Sequence, residues 1–194
     1  MELNKEYWDN RYSEGNTGWD VGEATTPLKE YIDQLTNKDL AILIPGGGSS
    51  YEAQYLAEKG FTNITVLDIS EEIAGKLKKH FAGNAQMKIV QGDFFEHEGA
   101  YDLVLEQTFF CALNPAIRKN YYKQMYSILN KRGKIAGVMF GVEFEKEGPP
   151  FGGSSQEYKK LMETLFKPKT LELCYNSISK RAGNELFVIL ERIG

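Results

Sequence analysis

Hydrophobic and polar residues follow two alternating patterns along most of the chain. Continuous apolar runs of a few residues are typical of buried strands, whereas apolar residues three or four positions apart are typical of amphipathic helices. The apolar runs predict strands over 40–45, 64–70, 87–95, 101–107 and 133–141. The helical spacing predicts helices over 25–35, 51–60, 71–81, 115–130 and 156–166. Helices and strands therefore alternate, as they do around a parallel sheet.

The alternation stops near the C-terminus, after a segment rich in glycine and proline at 141–155. Two β-rich runs follow the last predicted helix, at 169–179 and 184–194, and only the residues KRAG separate them. Such closely spaced strands predict a hairpin, so one strand near the C-terminus should run antiparallel to the others. The pattern as a whole predicts a single α/β domain over 1–194, with a mostly parallel sheet and helices on both of its faces.

Composition and charge narrow the range of partners. The 194 residues are 42% hydrophobic, which suits a globular domain with a sizeable core. The net charge is -4 and lysine and arginine form no block, so we expect a small-molecule ligand and neither nucleic acid nor a membrane. No apolar run is long enough to span a bilayer, and MELNKEYWDN does not resemble a signal peptide. We therefore expect a cytoplasmic protein, either a monomer or a weak homodimer.

The two cysteines give no sign of disulfide bonds or of a metal site. Cys111 and Cys174 lie in apolar surroundings without CxxC spacing. This arrangement argues against a disulfide framework and against a zinc site. We predict two reduced, buried thiols and no metal ligand.

The loops that follow the first four strands carry the candidate chemistry. In an α/β sheet these loops share one crevice, where ligands bind at the point at which strand order reverses. Gly46 and Gly48, after the first strand, permit a positive φ and a close backbone approach. Asp68 ends the second strand twenty positions after Gly48, where a carboxylate can accept hydrogen bonds from both ribose hydroxyls. The spacing predicts a nucleoside-containing cofactor.

Two kinds of nucleoside cofactor fit this crevice to different degrees. A dinucleotide fingerprint needs GxGxxG, and counting from Gly46 puts Tyr51 at its last glycine, which disfavours NAD without excluding it. S-adenosylmethionine has an adenosine but no phosphate, so it suits a looser turn. In the next loop, Asp93 could accept a hydrogen bond from the adenine amino group and Phe94 could pack on the ring. The alternatives are a turn-forming aspartate and a core phenylalanine.

Several longer blocks are more specific than any single motif: WDNRYSEGNTGWDVGEATTPL, LIPGGGSSYEAQYLAEKG, VLDIS, GDFF, LEQTFFCALNP and EGPPF. In this order they resemble the thiopurine methyltransferase family, and within it the halide and thiol methyltransferase branch that includes plant enzymes. The resemblance extends from Trp8 to Phe151, with a weaker echo at 181–185. It implies a Rossmann-like, seven-stranded fold that uses S-adenosylmethionine and releases S-adenosylhomocysteine. It also implies an N-terminal lid and helix over 1–36, followed by a core sheet over 37–194.

The resemblance assigns expected roles to individual residues. Trp8, Tyr12 and Trp19 would form an aromatic lid around the sulfonium, a cation that aromatic faces attract, although the tryptophans could equally serve as packing residues. The remaining cofactor contacts are expected as follows: Gly46 and Gly48 below the methionine part, Asp68 at the ribose, Asp93 and Phe94 at the adenine, and Gln107 facing the methyl group. On the substrate side we expect Gln107, Glu106, placed by its position at a strand end, and Arg181, placed by the family echo.

The chain departs from the family pattern at positions that bear on activity. Ser50 occupies the last glycine position of the usual GxGxG turn, and Gly47 replaces a frequent cysteine. Tyr12 stands where plant members often have tryptophan, and Gln107 where they tend to have tyrosine and thiopurine enzymes arginine. The sequence predicts a methyltransferase for a small soft acceptor, which could be a thiol, a thiopurine or a halide. A non-catalytic cofactor-binding module is the main alternative, and an NAD-dependent oxidoreductase is a weaker one.

Overall fold

Isoleucine, leucine and valine build a central sheet in the computed structural model, which describes residues 2–194. The seven strands lie in the order β3-β2-β1-β4-β5-β7-β6. Their bounds are β1 Ile42–Pro45, β2 Ile64–Asp68, β3 Met87–Gln91, β4 Tyr101–Gln107, β5 Leu129–Phe140, β6 Phe166–Leu173 and β7 Glu185–Arg192. The five strands β1 to β5 pair in parallel, whereas β7 runs antiparallel to both β5 and β6. The predicted fold class is confirmed, including the antiparallel C-terminal strand.

Every residue of β1 and β2 is buried, because helices cover both faces of the sheet. The helices are α1 Lys5–Ser13, α2 Thr26–Asp33, α3 Tyr51–Glu58, α4 Glu71–His80, α5 Arg118–Ile128 and α6 Ser155–Met162. On one face the core contains apolar residues of α2, α3 and α4, such as Ile32, Leu56 and Leu77. On the other it contains residues of α5 and α6, such as Met125 and Met162. The strand order reverses between β1 and β4, so the crevice lies at their carboxyl ends.

The largest departure from the predicted elements is α1, for which no helix is predicted. None of its side chains is fully buried, although Tyr12 packs partly buried against the core, so α1 lacks the broad apolar face on which the helix predictions depend. A cap starts the helix instead: the Asn4 side chain accepts a hydrogen bond from the Tyr7 backbone N–H at 3.0 Å. No helix within residues 2–194 has the length and apolar character needed to cross a bilayer.

Two element boundaries in the second half of the chain also differ from the prediction. The predicted helix over 115–130 begins with a 3₁₀ turn, Pro115–Ile117, and ends where β5 starts at Leu129. Strand β6 covers Phe166–Leu173 and so ends earlier than the predicted run over 169–179, which makes the connection to β7, 174–184, longer than the predicted KRAG. A hydrogen bond from the Cys174 N–H to the Glu185 carbonyl, 2.8 Å long, closes the hairpin across this connection. Both cysteines are buried and neither forms a disulfide.

Candidate cofactor and acceptor site

Residues 46–50, the glycine turn, connect β1 to α3 with an unusual backbone. Gly46 and Gly48 have φ values of 57° and 50°, in the left-handed region that favours glycine. A Cβ at Gly47 would stand 2.2 Å from Val66 Cγ1 and 2.8 Å from Ser50 Oγ, so the cysteine frequent at this position does not fit here. Ser50 also has a left-handed φ, 54°, and its Oγ donates to the Gly47 carbonyl at 3.1 Å. The backbone at Ser50 therefore has a conformation that is usual for glycine.

Asp68 lies at the end of β2, directly beside the glycine turn. Its Oδ2 accepts a hydrogen bond from the Gly48 N–H at 3.0 Å, and its Oδ1 accepts one from the Ser70 N–H at 2.9 Å. The side chain is only 5% exposed, and this burial raises the pKa of Asp68 to about 6. Each carboxylate oxygen can accept a second hydrogen bond. Asp68 therefore keeps free acceptor positions on both carboxylate oxygens, beside the glycine turn.

The aromatic residues of the predicted lid come together in one cluster above the glycine turn. The Trp19 ring lies 5.6 Å from Trp8 and 5.8 Å from Tyr12, centroid to centroid, in edge-on arrangements. The Tyr12 hydroxyl lies 3.3 Å from where a Cβ of Gly48 would be. Burial raises the pKa of Tyr12 well above its ordinary value. We call Trp8, Tyr12 and Trp19 the aromatic cluster.

Gln107, the last residue of β4, faces a narrow cleft between Trp19 and the glycine turn, and Trp8, Tyr12 and Asp68 are not among the described residues that line it. Its Oε1 accepts a hydrogen bond from Thr25 Oγ1 at 3.0 Å. The Thr25 N–H donates in turn to Glu52 Oε1 at 3.3 Å, and burial raises the pKa of Glu52. The residues that line this strand-end cleft are Trp19, Asp20, Val21, Glu23, Thr25, Ile44, 46–52, Gln107 and Thr108.

Sequence reasoning did not identify Thr25 and Glu52 as site residues. Glu52 belongs to a stretch that the spacing explains as an amphipathic helix, so its carboxylate carries no separate signal. Its place in the first turn of α3, directly after the glycine turn, is the feature that could have identified it. Thr25 directly precedes α2 at the position of a helix cap, but its side chain makes no capping hydrogen bond. It bonds to Gln107 instead.

Glu106, the other residue predicted from the end of β4, points away from the cleft. Its side chain is fully buried, and its Oε1 accepts from the N–H groups of Phe109 and Phe110 at 2.9 and 2.8 Å. Its Oε2 accepts from the Tyr121 hydroxyl at 2.8 Å. Burial raises the pKa of Glu106 to about 7. The geometry argues against the expected substrate-side role, because Glu106 holds the loop after β4 from within the core.

Arg181 supports the lid from the C-terminal side of the molecule. Its Nη2 donates to the Trp19 carbonyl at 2.7 Å, and its Nη1 lies 3.5 Å from Glu185 Oε1. Nη1 makes no hydrogen bond to the residues that the structure describes. Arg181 is buried behind Trp19 and is absent from the residues that line the cleft. Its predicted contact with an acceptor stays a prediction.

The two adenine-side candidates lie in the loop after β3, beside Asp68. The Gly92 N–H donates to the Asp68 carbonyl at 2.9 Å, which fixes this loop against β2. Asp93 is exposed and its Oδ1 accepts from the Phe95 N–H at 2.8 Å. Phe94 is 4% exposed and packs 5.0 Å from the Phe109 ring. Turn formation and core packing account for these contacts, and roles at an adenine stay predictions.

Comparison with known proteins gives results that agree with this geometry. A family model described as "Thiopurine S-methyltransferase (TPMT)" matches residues 3–187. Probable thiol methyltransferase 2 of Arabidopsis thaliana is 29% identical over 163 residues, which cover 81% of this chain and 72% of that protein. Thiocyanate methyltransferase 1 of Brassica oleracea is 27% identical over 184 residues, which cover 92% of this chain and 81% of that protein.

A solved structure has the same fold at lower identity. The 1,6-didemethyltoxoflavin-N1-methyltransferase of Burkholderia thailandensis, determined with 1,6-didemethyltoxoflavin and S-adenosylhomocysteine, superposes with a TM-score of 0.74. It is 18% identical, and the match covers 97% of this chain and 86% of that chain. At this identity the likeness concerns the fold alone.

Proposed function

The chain belongs to the thiopurine S-methyltransferase family, and from that premise we propose that it transfers the methyl group of S-adenosylmethionine to a small thiol. S-adenosylhomocysteine is the second product. The thiol and thiocyanate methyltransferases among its relatives act, by their names, on sulfur compounds. The family does not support the dinucleotide alternative, which depended on the glycine turn and Asp68 alone.

The observation that carries the proposal is the buried Asp68 carboxylate, which accepts a hydrogen bond from the N–H of Gly48, a residue of the glycine turn that lines the cleft. An adenosine offers two ribose hydroxyls that can donate to the free acceptor positions of Asp68. A methionine chain requires the close backbone approach that Gly46 and Gly48 provide. The residues present therefore fit S-adenosylmethionine, with Asp68 at the ribose and the glycine turn at the methionine part.

The chain's own groups have limited chemistry to perform in such a transfer. When bound, S-adenosylmethionine supplies a methyl group on a positively charged sulfur that leaves as a neutral thioether. The aromatic cluster would stabilise that charge and exclude water. Gln107, held by Thr25, would position the methyl group for in-line attack. No strong base is required if the nucleophile ionises readily, as thiols do with a pKa of about 8.5.

The charges around the cleft favour a thiol over a halide. Among the described residues that line it, Asp20, Glu23 and Glu52 carry carboxyl groups and none is lysine, arginine or histidine. A halide must enter as an anion against this acidic lining, whereas a thiol can enter neutral and give its proton to one of these carboxylates as its sulfur bonds to the methyl group. The predictions of a cytoplasmic location and of a monomer or weak homodimer belong to this proposal, and cell fractionation and analytical ultracentrifugation test them.

Cofactor binding followed by turnover tests the proposal. We expect millimolar S-adenosylhomocysteine to raise the melting temperature, and we expect the protein to methylate small thiols and thiopurines faster than iodide. Asp68→Asn serves as the matched control, because it should lose both effects. A protein that neither binds S-adenosylhomocysteine nor is stabilised by it would contradict the proposal. Binding without turnover of any acceptor would instead support the non-catalytic alternative suggested by Ser50 and Gln107.

A further inference from the structure

The helix α1 carries Trp8 and Tyr12, whose rings contact Trp19 in the cleft lining, yet none of its side chains is fully buried and Tyr12 packs only partly buried against the core. Apolar burial, which holds the other helices in place, therefore contributes little to its position. Among the helices, α1 packs most extensively against α4, the helix that follows Asp68. What attaches α1 to α4 should decide how firmly the aromatic cluster covers the cofactor.

A single carboxylate makes most of this attachment. Asp9 Oδ1 accepts from the Ser70 hydroxyl at 2.6 Å and from the Glu72 N–H at 3.3 Å. Asp9 Oδ2 accepts from Lys5 Nζ at 2.8 Å. A carboxylate at the N-terminus of a helix is stabilised by the exposed N–H groups and by the helix dipole. Partial burial opposes ionisation of Asp9, but these hydrogen bonds outweigh it and lower its pKa.

Ser70 links this contact to the candidate ribose site. The Ser70 side chain is fully buried, its Oγ caps α4 by accepting from the Ile73 N–H at 3.2 Å, and its own N–H donates to Asp68 Oδ1. Because Oγ accepts from Ile73, its single proton is left for Asp9. The same residue therefore touches both the lid helix and the carboxylate expected to bind the ribose.

We propose that Asp9 is a positioning residue that latches α1 over the cofactor cleft and, through Ser70, couples closure of the lid to the Asp68 carboxylate. This inference rests on the proposed function. Closure of α1 places the aromatic cluster beside the cleft and engages the Ser70 hydroxyl, and the backbone N–H of the same residue is one of the donors to Asp68. By linkage, a cofactor held by Asp68 favours the closed lid, and a latched lid slows release of the cofactor. Loss of the latch should therefore act mainly on dissociation.

The test compares Asp9→Ala, Asp9→Asn and Glu71→Gln with the wild-type protein. Glu71→Gln is the matched control, since it removes a carboxylate from the first turn of α4 that is 77% exposed and pairs with Lys5 of α1, and an exposed pair of this kind adds little to the attachment. We expect Asp9→Ala to release S-adenosylhomocysteine about tenfold faster in stopped-flow measurements, with an association rate within about threefold of wild type. Asp9→Asn keeps an accepting oxygen without the charge and should be intermediate. Glu71→Gln should match wild type.

Limited trypsin digestion gives a second readout that does not depend on catalysis. S-adenosylhomocysteine should protect the wild-type protein from cleavage after Arg11, within α1, and should protect Asp9→Ala much less. The melting temperature without ligand should change little, because the Asp9 side chain is 24% exposed and such pairs add little stability.

The results separate this inference from the proposed function. If wild-type protein fails to bind S-adenosylhomocysteine, the proposed function fails and the latch with it. If wild type binds but Asp9→Ala releases the ligand at the wild-type rate and is protected equally from trypsin, only the latch is wrong. A lower melting temperature with unchanged release from either Asp9 variant would show a merely structural residue and would also overturn the inference.

Discussion

The two sides of the candidate site are held in place by opposite means. Below the cleft, the glycine turn follows β1 and Asp68 ends β2, and the residues of both strands are all buried. Above it, α1 has no fully buried side chain and is held by Asp9, by the partly buried Tyr12 and by edge-on aromatic contacts. The lower side is part of the cooperative core, whereas the upper side can open at small cost in free energy.

This difference suggests a division of labour. The lower side binds the cofactor before the lid closes. Substitutions on the lower side should therefore weaken binding of the charged and the neutral cofactor form alike. Changes in the lid should alter release and the response to the sulfonium charge. S-adenosylmethionine and S-adenosylhomocysteine form a convenient pair of probes, because they differ by a methyl group and a positive charge.

The largest effect is expected for Asp68→Asn. An amide loses the charge and one acceptor oxygen, so hydrogen bonds to ribose hydroxyls and to the Gly48 N–H both suffer. We expect affinity for both cofactor forms to fall about 100-fold, since charge-assisted hydrogen bonds are the strong ones. Isothermal titration calorimetry measures both. An affinity within threefold of wild type would show that Asp68 does not hold the cofactor.

A smaller and more selective effect is expected for Trp19→Ala. Removing the indole takes away an aromatic neighbour of Trp8 and Tyr12 while the Trp19 carbonyl stays available to Arg181. We expect affinity for S-adenosylmethionine to fall about tenfold and affinity for S-adenosylhomocysteine to fall clearly less, because only the former is a cation. Equal losses for both ligands, measured by the same titrations, would assign Trp19 a packing role alone.

Acidification should weaken cofactor binding through Asp68. Burial raises its pKa to about 6, and protonation would remove acceptor capacity that the ribose hydroxyls need. Binding therefore favours the ionised form, and affinity should fall as the pH drops through 6, by about tenfold between pH 7.5 and pH 5. Trp19→Ala should keep this dependence, and Asp68→Asn should lose it. A flat profile in wild type would contradict the assignment.

The smallest effect is expected for Ser50→Gly. Ser50 has a left-handed φ of 54°, which glycine adopts without steric cost, but the change also loses the hydrogen bond from Oγ to the Gly47 carbonyl. We expect a gain of about 0.5 kcal/mol in the free energy of unfolding and unchanged cofactor affinity. Thermal and calorimetric measurements check this. A large gain in turnover would instead show that serine impairs the active turn.

The sheet and the lower side of the site could be predicted because they follow from local signals. Apolar runs indicate the buried strands, and the spacing from Gly48 to Asp68 reflects one strand-helix-strand unit. Glu106 shows where a positional argument fails: neighbouring residues on a strand face opposite sides, so only one of Glu106 and Gln107 could face the cleft. The structure assigns that place to Gln107.

The upper side could not be predicted because its contacts join distant parts of the chain. Arg181 reaches the carbonyl of Trp19, and Asp9 reaches Ser70, without any periodicity that would indicate the pairing. A polar helix such as α1 also lacks the apolar face that identifies a helix in a sequence. Its position depends on side-chain hydrogen bonds that only the folded chain brings together.

A crystal structure of the protein with S-adenosylhomocysteine would show whether Asp68 and the glycine turn hold the cofactor. We expect both ribose hydroxyls to donate to Asp68, the methionine part to lie along Gly46 and Gly48, and the sulfur to lie within about 6 Å of an aromatic ring of the cluster. A ligand bound elsewhere, or an adenosine that leaves Asp68 bonded only to Gly48 and Ser70, would contradict this expectation.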